Sequence, residues 1–272
     1  MRGAGGTTML TSKRLQAGDC RFNVLDGGPA QGARPPLVFL HGWACAAYPF
    51  SEGLELLAGS RRVVAPDLPG FNRSRCQTAG WGYAEYAGAI HALTAALGLS
   101  RFHLAGHSTG GGIAIELAAT WPQSVLSLSL LDSAGVPLGS MWRVGALKTW
   151  EQIRQAWDTR LARQHWPLAT SALYNTLFCT RALWTSLRLP LRLDLRPRLK
   201  AVTAPAQVVW GQRDLAEPLK FGRELAEGLG GAPLIVLPGA YHEWSVLRPR
   251  LLEQTLGGFM ERVDAAPSTA RP

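Results

Sequence analysis

The run FHLAGHSTGGG, residues 102–112, carries the most specific chemical pattern in this chain. Within it, Gly106-His107-Ser108-Thr109-Gly110 fits G-x-S-x-G, with a strand-like run before it and a helix-like run after it. Glycine is needed at both ends because the turn is tight, and a side chain there would meet the neighbouring strand or helix. A turn of this kind strains the serine and exposes its hydroxyl above a sheet. The helix that follows favours negative charge developing nearby. Serine is a poor nucleophile at neutral pH and needs a base beside it. Six histidines could supply one: His41, His91, His103, His107, His165 and His242. An acid to orient the imidazole and donors for an oxyanion would complete a site for acyl transfer.

These groups have to be held by regular elements. PLVFL (36–40), RRVVA (61–65), FHLAG (102–106), SVLSLSLL (124–131), AQVVW (206–210) and PLIVL (233–237) read as buried strands. Arg21–Leu25 reads as an antiparallel edge strand leading into an Asp-Gly-Gly turn. Helical periodicity fills the intervals at Tyr83–Leu97, Gly110–Thr120 and Leu247–Val263. Strands alternating with helices predict an α/β chain with a mostly parallel sheet. The rhythm breaks between 137 and 200, where strand-like runs vanish and Trp142, Trp150, Trp157, Trp166 and Trp184 accumulate. Leu147, Trp150, Ile153, Trp157 and Leu161 follow helical spacing. Such a stripe packs against a core or lines a pocket, and the spacing is compatible with both. The expected organisation is a core over 1–136 and 201–264, a helical cap over 137–200, and a disordered tail, AAPSTARP, over 265–272.

Composition narrows the classes. The chain has 272 residues, 47% of them hydrophobic, enough for a substantial core. No stretch reaches the roughly 18 uninterrupted apolar residues of a membrane-spanning helix, and the first twenty residues lack the apolar segment of a secretory signal. The expectation is a soluble, cytoplasmic protein. Cys20, Cys45, Cys76 and Cys179 are scattered, with no C-x-x-C pair, and read as reduced thiols rather than a metal site. The net charge of +9 raises nucleic-acid binding, yet segment 137–200 alone holds eleven Lys or Arg against three Asp or Glu. With no nucleic-acid motif there and no basic tail, that class is set aside.

The chain resembles the α/β-hydrolase superfamily from about Arg21 to Val263, and in particular its capped serine esterases and lipases. His41-Gly42 after PLVFL is similar to the family's oxyanion loop, and Asp67-Leu-Pro-Gly-Phe-Asn-Arg-Ser74 to its D-x-P-G-x-G-x-S turn. Asn72 replaces the usual glycine, a change that asparagine's tolerance of left-handed backbone allows. The resemblance implies a mostly parallel eight-stranded sheet flanked by helices with a cap insertion. By the family's order of nucleophile, acid and base, it also implies Ser108, Asp214 in WGQRDLAEP and His242 in GAYHEW as a triad. Asp132 in LLDSAG is the rival acid, since some relatives place it there, and Glu217 a weaker one. The backbone amides of Trp43 and Thr109 would form the oxyanion hole. His41, Gly42, His107, Trp142, Trp150 and Trp157 are the expected surroundings of the substrate.

The expected activity is hydrolysis of a carboxylic ester with an apolar acyl or aryl group, without cofactor or metal. The same triad serves thioesterases, acyltransferases acting on carrier-linked acyl groups, and C–C bond hydrolases, so fold alone does not choose. Ligand-binding relatives with little turnover remain a further class. The basic cap admits an acidic carrier protein or a lipid surface as partner, or its arginines merely solvate a helix.

Overall fold

The computed structural model describes residues 9–29, 34–159 and 163–266. The strands are β1 (Thr11–Ala17), β2 (Cys20–Gly27), β3 (Leu37–Leu40), β4 (Val63–Pro66), β5 (Phe102–His107), β6 (Val125–Leu131), β7 (Ala206–Gly211) and β8 (Leu234–Leu237). They form one sheet in the order β1-β2-β4-β3-β5-β6-β7-β8. The six strands from β4 to β8 in that order pair in parallel, while β2 runs antiparallel to both β1 and β4. The chain therefore has the mostly parallel eight-stranded sheet of the α/β-hydrolase fold. Arg21–Leu25 lies inside β2, one place in from the edge. The true edge, β1, went unread because TSKRLQA is largely exposed and lacks a clean apolar alternation.

Alternation along the central strands sorts the core into two layers. Val38 and Leu40 face one side with Leu104, Leu128, Leu130 and Val208, beneath α2 (Tyr83–Ala96), α3 (Thr109–Thr120) and α9 (Leu219–Gly228). Leu37 and Phe39 face the other side with Ala105, Leu131 and Val209, beneath α1 (Ser51–Ala58), α10 (Trp244–Leu247) and α11 (Pro249–Ala265). Between β6 and β7 the chain forms α4 (Met141–Asp158), α5 (His165–Phe178), α6 (Thr180–Ser186), α7 (Arg188–Arg192) and α8 (Arg196–Leu199). Leu161 and most of the expected tail (267–272) lie outside the described residues.

The stripe on α4 turns the other way from a packing stripe. Trp150, Ile153 and Trp157 are exposed, whereas Glu151 and Gln155 are buried. A second correction concerns the cysteines. Cys20 and Cys76 form a disulfide, with their Cα atoms 4.7 Å apart. The antiparallel bridge between Arg21 and Arg75 sets their neighbours side by side, a proximity that no local spacing reveals. Cys45 and Cys179 are free and buried.

Candidate active site

Parallel strands with helical crossovers put their C-terminal ends on one edge of the sheet, where ligands of such folds bind. The loops after β3, β5, β6, β7 and β8 accordingly converge, carrying Trp43, Ser108, Asp132, Asp214 and His242. Ser108 has φ 53°, left-handed for a residue with a side chain, and initiates α3. Its N–H donates to the Leu131 carbonyl at 3.0 Å, and its carbonyl accepts from Gly111 at 2.8 Å and Ala134 at 2.9 Å. Those bonds hold the strained turn. A Cβ on Gly106 would run into the backbone of Gly110, and one on Gly110 into the carbonyls of Leu40 and His41. Both glycines are therefore required by close backbone approach.

His242 and Asp214 meet in the same place. His242 Nδ1–H donates to Asp214 Oδ2 at 2.7 Å, and both residues are buried. Asp214 Oδ1 accepts from the Glu217 N–H at 2.7 Å, which fixes the carboxylate. Burial alone would pull the His242 pKa down, but the charge and hydrogen bond of Asp214 carry it above the ordinary imidazole value. With Nδ1 protonated, Nε2 is the basic nitrogen. That atom is buried and makes no hydrogen bond among the described residues. Ser108 and His242 share the lining of a cleft of about 320 Å³ with Trp43, Thr109, Trp142, Trp184 and Glu217. The N–H groups of Trp43 and Thr109 have no acceptor among the described residues. A free imidazole nitrogen, a strained serine and unpaired amides on one cleft can carry out base-assisted nucleophilic attack with oxyanion stabilisation.

The family model described as alpha/beta hydrolase fold matches residues 35–154. The chain shares the α/β-hydrolase fold with that family, whose model covers 120 of its 272 residues. It is 30% identical over 241 residues to the dihydrolipoyllysine-residue acetyltransferase component of an acetoin cleaving system from Pseudomonas putida, covering 84% of this chain and 64% of that protein. The chain thus spans just under two thirds of the length of that relative. It is 25% identical to 2-hydroxy-6-oxo-6-phenylhexa-2,4-dienoate hydrolase from Burkholderia cepacia, over 82% of this chain and 86% of that one. Among solved structures, a bacterial membrane phospholipase A superposes with a TM-score of 0.77 at 26% identity, over 94% of this chain and 87% of that one.

Within this hydrolase fold, the expected residues sort into three groups. Ser108, Thr109, Trp43, His242 and Trp142 line the cleft, with Asp214 behind His242. His41, Gly42 and His107 support the cleft without lining it. His41 donates Nδ1–H to the Gly42 carbonyl and accepts the Leu68 N–H at Nε2, both at 2.8 Å, so it is a neutral brace, and burial lowers its pKa. Gly42 backs the serine, since a Cβ there would lie 3.1 Å from Ser108 Cβ. His107 donates to the His242 carbonyl at 3.0 Å, and burial followed by the nearby His242 lowers its pKa to about 4. Trp150 and Trp157 form the third group. They lie away from the cleft, further along α4 than Trp142, with their side chains exposed.

Asp132 makes no hydrogen bond to the imidazole among the described residues. Its oxygens accept from the Gly211 N–H at 2.7 Å and from Trp244 Nε1. Burial and the adjacent Asp214 raise its pKa well above the usual carboxylate range. Asp132, Asp214 and His242 bring possible ligand atoms within 4.8 Å of one another. Hydrogen-bond donors already occupy the carboxylate oxygens of both aspartates, so the group reads as a hydrogen-bond network. Glu217 is buried on the cleft wall, and its Oε2 makes no hydrogen bond among the described residues. Burial, then the charge of Asp214, raise its carboxyl well above the usual range.

Glu151 escaped the reading of the sequence altogether. From α4 its Oε1 accepts the His242 N–H at 2.7 Å, and its Oε2 accepts those of Leu215 at 2.9 Å and Ala216 at 3.0 Å. One buried carboxylate thereby ties the loops of Asp214 and His242 together. Burial and then the Asp214 charge raise its pKa. The available signal was its place: it is the one acid between Met141 and Trp157, four residues before Gln155 on the same helix face.

Proposed function

We propose that the chain is a serine hydrolase that cleaves a carboxylic ester of an apolar acyl or aryl substrate through an acyl-enzyme. The observation that carries this reading is a single cleft shared by the left-handed Ser108 and His242, whose other nitrogen donates to Asp214 at 2.7 Å. Ser108 Oγ attacks the carbonyl carbon while His242 Nε2 takes its proton, and Asp214 stabilises the resulting imidazolium. The oxyanion rests on the amides of Trp43 and Thr109. Collapse of the intermediate expels the alcohol, protonated by His242, and leaves the acyl group on Ser108. Water activated by the same imidazole then releases the acid. Segment 137–200 acts as a cap, its Leu138, Trp142, Leu187 and Leu191 supplying an apolar wall.

The test is hydrolysis of p-nitrophenyl esters from acetate to dodecanoate by wild type and Ser108→Ala, with labelling by a serine-directed phosphonate. Loss of both activity and labelling in the variant is expected. Activity that survives the substitution in a pure preparation would overturn the mechanism. C–C bond hydrolysis is the second reading, favoured by the likeness to the Burkholderia cepacia 2-hydroxy-6-oxo-6-phenylhexa-2,4-dienoate hydrolase. A vinylogous diketone substrate outperforming every ester would select it. The disulfide weighs against the cytoplasmic expectation, because such bonds persist in oxidising compartments.

A further inference from the structure

The tryptophans of this chain divide by region. Trp142, Trp150, Trp157, Trp166 and Trp184, all on the helices between β6 and β7, are exposed, Trp142 by 82% and Trp157 by 85%. The other five, Trp43, Trp81, Trp121, Trp210 and Trp244, are buried or half-buried. At 100° per residue, Trp142, Trp150, Ile153 and Trp157 fall within an arc of about 80° on α4. Trp166, Leu173 and Leu177 share an arc of about 40° on α5, and they too are exposed. These faces do not pack inward, and Trp142 and Trp184 stand at the wall of the Ser108 cleft.

We propose that this outward face of α4, α5 and α6 docks on an anionic lipid bilayer, with its indoles at headgroup depth and the cleft mouth toward the lipid. Charge selects that occupant. The segment holds eleven Lys or Arg against three acids. All three acids are engaged: Glu151 by backbone amides, Asp158 by Arg213 and Tyr241, and Asp194 by Arg196. Arg154 and Arg181 are exposed and make no ion pair among the described residues. Two copies meeting through this face would oppose like charges, whereas an anionic surface is complementary. Indole suits the interface because its ring enters the acyl boundary while its N–H stays hydrated. No helix of the described residues is long and apolar enough to cross a membrane, so the attachment is peripheral.

The test uses the full chain carrying Ser108→Ala, so that catalysis plays no part in the readout. Co-sedimentation is measured with vesicles of phosphatidylcholine alone and of phosphatidylcholine mixed with phosphatidylglycerol, alongside tryptophan emission. Binding to the mixed vesicles with a blue shift is expected, with at least about tenfold weaker binding to the neutral ones. Trp157→Ser/Trp166→Ser, with unchanged circular dichroism, lowers the partition coefficient by about tenfold or more. Arg154→Gln/Arg181→Gln reduces the preference for phosphatidylglycerol and leaves the fold intact. Equal affinity for both vesicles, sedimentation without a blue shift, or unaltered binding by the tryptophan variant would each overturn the proposal. So would a chain that ignores vesicles and elutes as a dimer until those tryptophans are replaced.

Discussion

The helices on the sheet and the first two helices of segment 137–200, α4 and α5, are built on opposite plans. α11 buries Leu252, Leu256, Phe259 and Met260 against the sheet, and α3 is buried along almost its whole length. α4 and α5 instead bury Glu151, Gln155, Ser171 and Asn175 and expose tryptophan and leucine. Asn175 shows what the buried polar groups do: its Oδ1 accepts the Asn72 N–H at 2.7 Å, and its Nδ2 donates to the Cys45 carbonyl at 3.0 Å. Glu151 is the counterpart on α4. The core is held by apolar area, whereas α4 and α5 are pinned to neighbouring loops by the hydrogen bonds of Glu151 and Asn175. The Gln155 amide and the Ser171 hydroxyl are buried without a hydrogen-bond partner among the described residues. Substitutions in the two regions should therefore fail in different ways.

The largest effect is expected in the proposed triad. Asp214→Asn leaves the cleft intact but removes the charge that orients and stabilises the imidazolium, and kcat should fall by about 10³–10⁴-fold. The base works only when neutral, so activity is lost as pH falls through the His242 pKa. Asp214 raises that pKa, so its removal moves the acid limb of kcat/KM to lower pH. A pH–rate profile with an unmoved limb would assign the acid's role elsewhere, Asp132 being the first candidate.

Next comes the apolar layer. Leu256→Ala on α11 deletes a fully buried side chain and should cost about 2–5 kcal/mol in urea unfolding, while activity of the folded fraction persists. The disulfide follows, since it closes a loop of 56 residues between β2 and the turn after β4. Thiol titration of the denatured, unreduced chain should find two free cysteines, and reduction should cost about 2–4 kcal/mol. Four free thiols would restore the expectation of reduced cysteines.

Glu151→Gln tests the segment's plan directly. The amide group would turn a donor toward one of three N–H donors, at a cost of about 1–3 kcal/mol. Because those donors belong to the loops of Asp214 and His242, kcat should drop by about ten- to a hundredfold with KM little changed. A lower melting temperature with unaltered kcat would reduce Glu151 to a structural anchor.

The same contrast decides what the sequence made legible. Ser108 and its turn could be read because stereochemistry demands glycine at Gly106 and Gly110, and strands such as PLVFL announce themselves by burial on both faces. β1 hides because an exposed edge strand needs no apolar alternation, and TSKRLQA has little. The Cys20–Cys76 pair depends on a strand bridge between distant segments. The α4 stripe was legible as a stripe, but periodicity gives a face and not its direction. Only the contacts of Glu151 and Gln155's burial reveal that the polar side points inward.

The smallest effect is the sharpest probe of that direction. Trp157→Ser removes the largest side chain available on α4, and in a core helix a comparable truncation would cost about 3–5 kcal/mol. Here the side chain is almost wholly in solvent, so the change in unfolding free energy should stay within about 0.5 kcal/mol. What the substitution should alter is the surface: one indole fewer on the exposed face should weaken partition onto phosphatidylglycerol-containing vesicles, measurable by co-sedimentation. A destabilisation of several kcal/mol would mean that Trp157 packs inward after all. The inside-out plan of the segment, and the bilayer face built on it, would fall together.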